Sequence, residues 1–159
     1  MSGNVQKVSL VLVLLVVAVG PGLAAEVPFK GKFSGQAISA VPTEDPDVLL
    51  ITTASSGNAT HLGKFTMLSP HLADLSTLEV GGTQTFTAAN GDTLTASFTG
   101  QFSPIVGGFL AASINCTITG GTGRFAGASG SYTFDILFDP ATLTNISVID
   151  GTIVIPNGN

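Results

Sequence analysis

The sequence predicts an all-β protein, folded as a single antiparallel barrel of about eight strands behind an N-terminal signal peptide. Three observations support this fold class. Short segments alternate apolar with polar residues, many of the 20 glycines mark turns between them, and no long helical period follows the N-terminal segment. A β-sandwich shares these features, but a closed barrel also leaves no unpaired strand edge. No fixed-period repeat divides the chain.

The first 25 residues are predicted to be a signal peptide, which leaves residues 26–159 as one β-barrel domain. Lys7 is the only charged residue before an apolar run of 12 residues. That length fits a signal-peptide core and is too short for a membrane-spanning helix. Cleavage is expected after Ala24, with Gly22 at the −3 position, or after Ala25. We therefore expect a secreted or periplasmic protein with no membrane segment after cleavage.

The charge and cysteine content of the mature chain argue against a nucleic-acid-binding protein and exclude a disulfide-stabilised domain. Without Lys7 the chain keeps four Lys and Arg residues against ten Asp and Glu residues, a net charge of −6. No basic patch can neutralise phosphates, so no nucleic-acid partner is expected. Cys116 is the single cysteine, so no intramolecular disulfide can form despite the expected export. Stability must then come from core burial and closed hydrogen bonding, which a barrel supplies.

The domain is predicted to begin with a strand from Val27 to Ile38. Phe29 and Phe33 share one face of this strand and lysines lie on the other, which indicates a sheet with one buried face. The acidic loop at residues 41–47 lacks the spacing of a calcium-binding loop. We expect a solvated turn there.

The next segments are predicted to be two short strands separated by a turn. Residues 48–53 are β-branched and apolar, Ser55–Asn58 resembles a turn in composition, and residues 59–68 alternate again. Ser69-Pro70 is expected to end the second of these strands, because proline removes a backbone donor. Residues 71–80 fit either a short helical turn or irregular chain that ends in a strand.

Residues 84–101 are predicted to form a hairpin whose register follows from side-chain parity. A two-residue turn would place Phe86 opposite a threonine. A three-residue loop, Ala89–Gly91, places Phe86 opposite Leu94 and a threonine opposite a threonine. Apolar then faces apolar, and Gly91 takes the left-handed position of a bulge. We therefore predict the three-residue loop.

The C-terminal third is predicted to contain three more strands. The first covers residues 109–119 and places Cys116 on the same face as two isoleucines. The second begins near Tyr132 and alternates aromatic and polar residues through Phe138. The third covers residues 146–155, with Asp150-Gly151 as an expected turn or bulge.

A glycine-rich segment separates the first two of these strands. It reads Gly-Gly-Thr-Gly-Arg-Phe-Ala-Gly-Ala-Ser-Gly and contains Gly120, Gly121, Gly123, Gly127 and Gly130. A phosphate-binding loop would need a following helix N-terminus, and the lysine of a P-loop is missing. A strand follows instead. We interpret the segment as a structural corner, where glycine permits tight bends and close packing.

This corner resembles the glycine-rich corner of the allene oxide cyclase and dirigent barrels. A second segment, Gly57-Asn-Ala-Thr-His-Leu-Gly-Lys-Phe-Thr66, is similar to one that accompanies the corner in uncharacterised secreted bacterial proteins. The resemblance implies an allene oxide cyclase-like barrel. Allene oxide cyclases cyclise a fatty-acid epoxide, and dirigent proteins steer the coupling of phenolic radicals. None of their catalytic residues can be matched to this chain, so none is carried over.

Three polar residues share strand parity with apolar neighbours: His61, Cys116 and Tyr132. If these faces point inward, an imidazole, a thiol and a phenol line a lumen that binds a small apolar molecule. The alternative is that they are satisfied core residues. Asn58, Asn115 and Asn145 begin glycosylation sequons, which matter only in a eukaryotic host.

No catalytic constellation is visible in the sequence, so an enzyme is not favoured. The two histidines have no metal-binding spacing and no nucleophile elbow surrounds any serine, so neither a metal nor a cofactor is expected. Three hypotheses remain: a secreted barrel that binds a small apolar or aromatic molecule, a cyclase- or dirigent-type enzyme, and a structural or surface protein without a ligand. The pattern fixes no oligomeric state.

Overall fold

The computed structural model describes residues 24–156, so most of the predicted signal peptide lies outside the described residues. Within these residues a single 3-10 turn, Gly123–Phe125, interrupts an otherwise all-β structure. Within the described range no helix is long and apolar enough to cross a membrane. The strands are β1 (Glu26–Pro42), β2 (Val48–Ala59), β3 (Gly63–Asp74), β4 (Glu79–Ala88), β5 (Thr93–Gln101), β6 (Ser103–Pro104), β7 (Leu110–Gly121), β8 (Ser129–Asp139) and β9 (Thr144–Val154).

Eight long strands close into one antiparallel barrel, as the sequence predicts. The order around the sheet is β5-β4-β3-β2-β1-β9-β8-β7, and a β5–β7 pairing closes it. The two-residue β6 pairs with the start of β7. Because consecutive long strands run in opposite directions, their connections alternate between the two ends. We call the end with the β1–β2, β3–β4, β5–β7 and β8–β9 connections the mouth, and the other end the base.

The predicted β4–β5 hairpin is confirmed. Phe86 pairs with Leu94 and Thr85 with Thr95. Gly91 has φ +88°, the left-handed conformation that the turn requires. Parity fixes this register because only one face of the hairpin is buried.

The predicted turn at Ser55–Asn58 is wrong, because β2 continues through it to Ala59. The small residues are needed by packing instead. Gly57 faces the interior opposite Phe33 on β1, and a Cβ at Gly57 would lie 2.6 Å from the Phe33 Cβ. The turn follows at residues 60–62, where the Thr60 backbone and hydroxyl bond to β1.

Two other predicted strand breaks are also absent. β3 passes through Pro70 to Asp74, and its ladder with β4 is interrupted at Ser69 and Pro70 but resumes in the same register. The missing proline N–H therefore interrupts the hydrogen bonding to β4 locally and does not end the strand. β9 is continuous through Asp150-Gly151. Gly151 packs against Tyr132 so closely that a Cβ added at Gly151 would lie 2.5 Å from the Tyr132 Cβ.

Interlocking aromatic rings fill the base half of the interior. They contact edge to face, with centroid separations such as 5.1 Å for Phe65–Phe86 and 5.2 Å for Phe29–Tyr132. These arrangements suit the ring quadrupoles and add to the burial of apolar area. The connected rings are Phe29, Phe33, Phe65, Phe86, Phe98, Tyr132 and Phe134.

The glycine corner closes the base, as predicted. The 3-10 turn inserts Phe125, which is fully buried, beneath the aromatic rings. Arg124 joins three segments: its backbone N–H donates to the Asp92 carboxylate at 3.2 Å and its guanidinium to the Leu62 carbonyl at 3.2 Å. Four of the predicted corner glycines have a positive φ angle: Gly120, Gly123, Gly127 and Gly130. The fifth, Gly121, packs against Phe125.

Glycines on the inner face relieve crowding between paired strands. A closed barrel of this size brings some inward Cβ atoms of neighbouring strands together, and a glycine in one partner relieves the contact. At Gly57, Gly82 and Gly151 a built Cβ would lie 2.5–2.6 Å from the partner Cβ. Six inner-face pairs follow this pattern: Gly31–Ala59, Gly57–Phe33, Gly35–Ser55, Gly82–His71, Gly130–Ile153 and Gly151–Tyr132.

Two adjacent glycines on β4 test this crowding. Gly82 faces inward, where a Cβ would lie 2.6 Å from the His71 Cβ, whereas the nearest atom to a Cβ at Gly81 is 3.5 Å away. Neither has a positive φ. We expect Gly82→Ala to lower the free energy of unfolding by about 1–3 kcal/mol, as overpacking does. Gly81→Ala should change it by less than about 0.5 kcal/mol. Equal losses in urea unfolding would contradict the argument.

Candidate functional site

The two halves of the barrel interior differ in their side chains. Inward residues of the base half are large and buried. Inward residues of the mouth half are mostly small or polar, and several remain partly accessible to solvent. The mouth half is therefore less filled by large apolar side chains than the base half. Its inward residues include Gly35, Ala37, Thr53, Ser55, Ser69, His71, Gly82, Gly100, Ala112, Ile136, Asn145 and Ser147.

Three of these residues carry buried polar atoms without a hydrogen-bond partner: Ser55 Oγ, Asn145 Oδ1 and Ser147 Oγ. Their residues are 8%, 7% and 4% exposed. They lie on the two strands that flank β1, because Gly35 on β1 pairs with Ser55 on β2 and with Asn145 on β9. Ser147 is the next inward residue of β9. We call these three residues the polar cluster.

The polar cluster is costly unless something binds it. Leaving a buried donor or acceptor unsatisfied costs about 1–3 kcal/mol per group, and nearly all such groups in folded proteins have a partner. The protein offers none of the three atoms a bond from its described residues. The described chain therefore leaves three polar atoms of the interior uncompensated.

His71 places an imidazole in the same half of the lumen. Its ring lies 5.7 Å from the Phe98 ring, and its Nδ1 is 2.9 Å from the Ser69 carbonyl oxygen. Because that oxygen can only accept, Nδ1 carries the proton and Nε2 keeps a lone pair in the neutral form. Burial lowers the His71 pKa, and the bond to Ser69 opposes this only in part. The site thus contains a neutral imidazole that can accept a proton.

His61 does not point into the barrel, so the predicted inward orientation is wrong. Strand β2 ends at Ala59, and His61 lies exposed in the β2–β3 turn with φ +66°. Strand parity does not continue through a turn. Leu62 takes the buried position instead.

Cys116 and Tyr132 do face inward, as expected, but they lie in the closed base half. The Tyr132 hydroxyl donates to Gln84 Oε1 at 2.7 Å, and Gln84 is itself buried. Burial raises the pKa of the Cys116 thiol to about 12 and that of Tyr132 well above its usual value. Both groups are therefore neutral. Their surroundings match the interpretation that they are core residues.

Sequence analysis missed the polar cluster for two identifiable reasons. Ser55 falls in the predicted turn at Ser55–Asn58, whereas β2 continues through it. The predicted last strand starts at Ile146, so it leaves out Asn145, whereas β9 starts at Thr144. Extending the alternation of Ile149 and Ile153 backwards would have placed both β9 members of the cluster inside. The structure also places the Asn145 sequon inside the barrel, whereas Asn58 and Asn115 are exposed.

A groove of about 1110 Å³ crosses the outside of the barrel, where Ile146 and Val148 are exposed between Lys32 and Asp135. Ser147 of the polar cluster is also among the residues that line this groove. Within residues 24–156, no three His, Cys, Asp or Glu side chains are close enough to hold a metal ion.

The Tyr132–Gln84 bond gives a test of the core interpretation. Tyr132→Phe keeps the ring but removes the donor to Gln84, so we expect a loss of about 1–3 kcal/mol in unfolding free energy. Adding Gln84→Leu removes the stranded acceptor, and the double variant should lose less than the sum of the single losses. Additive losses in chemical denaturation would show that the two side chains are not coupled.

The lowered pKa of His71 predicts a pH dependence of stability. The unfolded chain binds a proton near pH 6.5, while the folded chain still holds His71 neutral, so acidification favours unfolding. Wild type should lose stability from about pH 7 to about pH 5, and His71→Gln should lose less over that interval. Thermal melts at matched ionic strength measure the difference. Identical pH profiles would contradict the assigned burial of the imidazole.

Comparison with known proteins identifies the fold. No protein-family model matches the sequence, and no curated protein matches it. Among solved structures, the pterocarpan synthase dirigent protein GePTS1 is similar, with a TM-score of 0.56 and 13% sequence identity over 97% of this chain and 99% of that chain. At that identity the similarity shows a shared fold. The protein thus shares its barrel fold with that dirigent protein.

Proposed function

We propose that this protein is an exported barrel that binds a small molecule in the mouth half of its lumen. The polar cluster carries the proposal, because three buried atoms on β2 and β9, the strands that flank β1, need hydrogen bonds that the described chain does not supply. A packed structural barrel gains nothing from unsatisfied hydroxyl and amide oxygens at inward positions. Export is proposed from the N-terminal apolar segment alone.

The walls of the mouth half suit a ligand with one polar and one apolar side. The polar cluster occupies β9 and β2 on either side of β1. Partly buried Ala112 and Ile136, together with the Phe98 ring beside His71, supply apolar surface on other strands. Small-molecule sites commonly combine a largely apolar lining with a few placed polar groups.

A dirigent- or cyclase-type role is the second candidate. The similarity to a solved dirigent protein favours it, but similarity of fold is a weak argument for activity. His71 is the chain's contribution to such a role, because a neutral imidazole in the lumen can take up or return a proton. A structural protein without a ligand is the remaining alternative. It is favoured by the filled base and opposed by the polar cluster.

Native mass spectrometry of the protein purified from its host tests the proposal. We expect wild type to carry a small molecule, and Ser147→Ala to lose most of it, because one hydrogen bond is worth roughly a tenfold change in affinity. Ser97→Ala is the matched control, since Ser97 is exposed on the outer face. It should retain the ligand.

Stability gives an independent measurement. Without ligand, Ser147→Ala removes an unsatisfied buried oxygen and should be neutral or stabilising in thermal melts. A wild-type mass equal to that of the mature chain, together with a Ser147→Ala variant that is destabilised, would sink the proposal. That result would mean that the hydroxyl already has a partner within the protein.

A further inference from the structure

The outer face of β9 carries two large apolar side chains, Ile146 and Val148, which we call the apolar pair. They are 61% and 59% exposed, whereas Ser147 between them is buried, so both point away from the lumen. The comparable stretch of β7, residues 113–119, presents only Ser, Asn and Thr side chains on its outer face. Exposed apolar side chains that lie side by side and are rimmed by polar residues are typical of an interaction surface.

The charges beside the apolar pair are arranged symmetrically about β9. Lys32 on β1 and Asp135 on β8 both pair with Val148, from opposite sides. Strands in a sheet lie about 4.8 Å apart, so these two residues are roughly 10 Å from each other. Both are exposed, and neither belongs to an ion pair within residues 24–156. The apolar pair therefore has a cation on one side and an anion on the other.

The neighbouring row of side chains shows a matching difference in size. Ser34 on β1 and Leu137 on β8 pair with Ile146 from opposite sides. Both belong to the lining of the outer groove. A small side chain thus lies on one side of β9 and a large one on the other.

We propose that this face is an interface between two copies of the chain, related by a two-fold axis that runs along β9 between the facing sheets. Such an axis places β9 against β9 of the partner subunit, and β1 against its β8. Lys32 then faces Asp135 of the partner subunit, and symmetry repeats this contact. Ser34 faces Leu137 of the partner subunit in the same way, and the apolar pair packs against its own copy.

A second copy fits this face because the pattern is complementary to itself. Each exposed charge meets the opposite charge, and each large side chain meets a small one. Packed sheets lie about 10 Å apart, a distance that a lysine and an aspartate side chain can bridge together. The chain is acidic overall, so unselective association of copies is disfavoured and only faces with complementary charge attract. Because two barrels touch only along their sides, we expect a reversible dimer rather than an obligate one.

Charge reversal tests the pairing of β1 with β8 across the interface. Sedimentation velocity over a range of concentrations should show the wild type as a reversible dimer. Either Lys32→Asp or Asp135→Lys alone brings like charges together twice per dimer and should weaken dimerisation at least about tenfold. A mixture of the two single variants should form a heterodimer, because each variant then offers the charge that the other needs. The double variant should dimerise like the wild type.

Matched controls separate this interface from other exposed surface. Lys64→Asp makes the same charge change on the outer face of β3 and should leave dimerisation unchanged. Ile146→Thr should weaken dimerisation about tenfold, because each substitution occurs twice in a two-fold interface. Leu72→Thr, also exposed on the outer face of β3, should not weaken it. Thermal melts establish that each variant is folded.

Several results would overturn the interface. A wild type that is monomeric at every concentration would do so, and so would a trimer, because a two-fold axis relates only two copies. Single charge variants that dimerise like the wild type, or a mixture of them that stays monomeric, would also contradict it. None of these results bears on ligand binding in the lumen, so the proposed function is tested separately.

Discussion

The limited space on the inner face of a closed barrel is the constraint on which this structure depends. At several positions neighbouring strands bring their inward Cβ atoms so close that one member of the pair is a glycine, although Phe134 and Ile149 form an inward pair of two large residues. Gly57, Gly82 and Gly151 meet this requirement at ordinary backbone angles, so exclusion of a Cβ, rather than a turn conformation, requires the glycine. The residues paired with these glycines can then be large, as Phe33 opposite Gly57 and Tyr132 opposite Gly151 are.

The same constraint produces opposite results at the two ends. At the base, large partners interlock and Phe125 closes the barrel beneath them. At the mouth, Gly35 pairs with Ser55 on one side and Asn145 on the other, so small and polar residues face one another. The interior of the mouth half therefore contains polar groups, whereas the interior of the base half is packed with apolar side chains. The barrel thus combines a rigid core with a polar chamber in one continuous sheet.

Sequence pattern predicted the fold class, the strand parities and the base corner, because these follow from local alternation and glycine spacing. It did not predict where strands continue through small residues. Gly57 and Gly151 resemble turn residues until the neighbouring strand is known, since only the partner reveals the crowding. The same limit hid the site: Asn145 lies two residues after a positive-φ leucine, so its place at the start of β9 depends on pairing with β1. Both the continuation of the strands through these glycines and the inward position of Asn145 depend on pairing between strands that are distant in sequence.

The polar cluster lowers the stability of the folded state, because its three oxygens are buried without partners from the described chain. Residues of alternating size could have filled the mouth as they fill the base, and an alanine at Ser147 would remove one of the three unsatisfied oxygens. The folded state tolerates the cost because aromatic burial at the base supplies stability that does not depend on the mouth. Charge follows the same division within residues 24–156, since Asp92 and Asp150 at the base pair with cations, whereas Asp74 and Asp139 at the mouth accept hydrogen bonds from their own loops. Sites that break the rules of packing and pairing together are where function is expected.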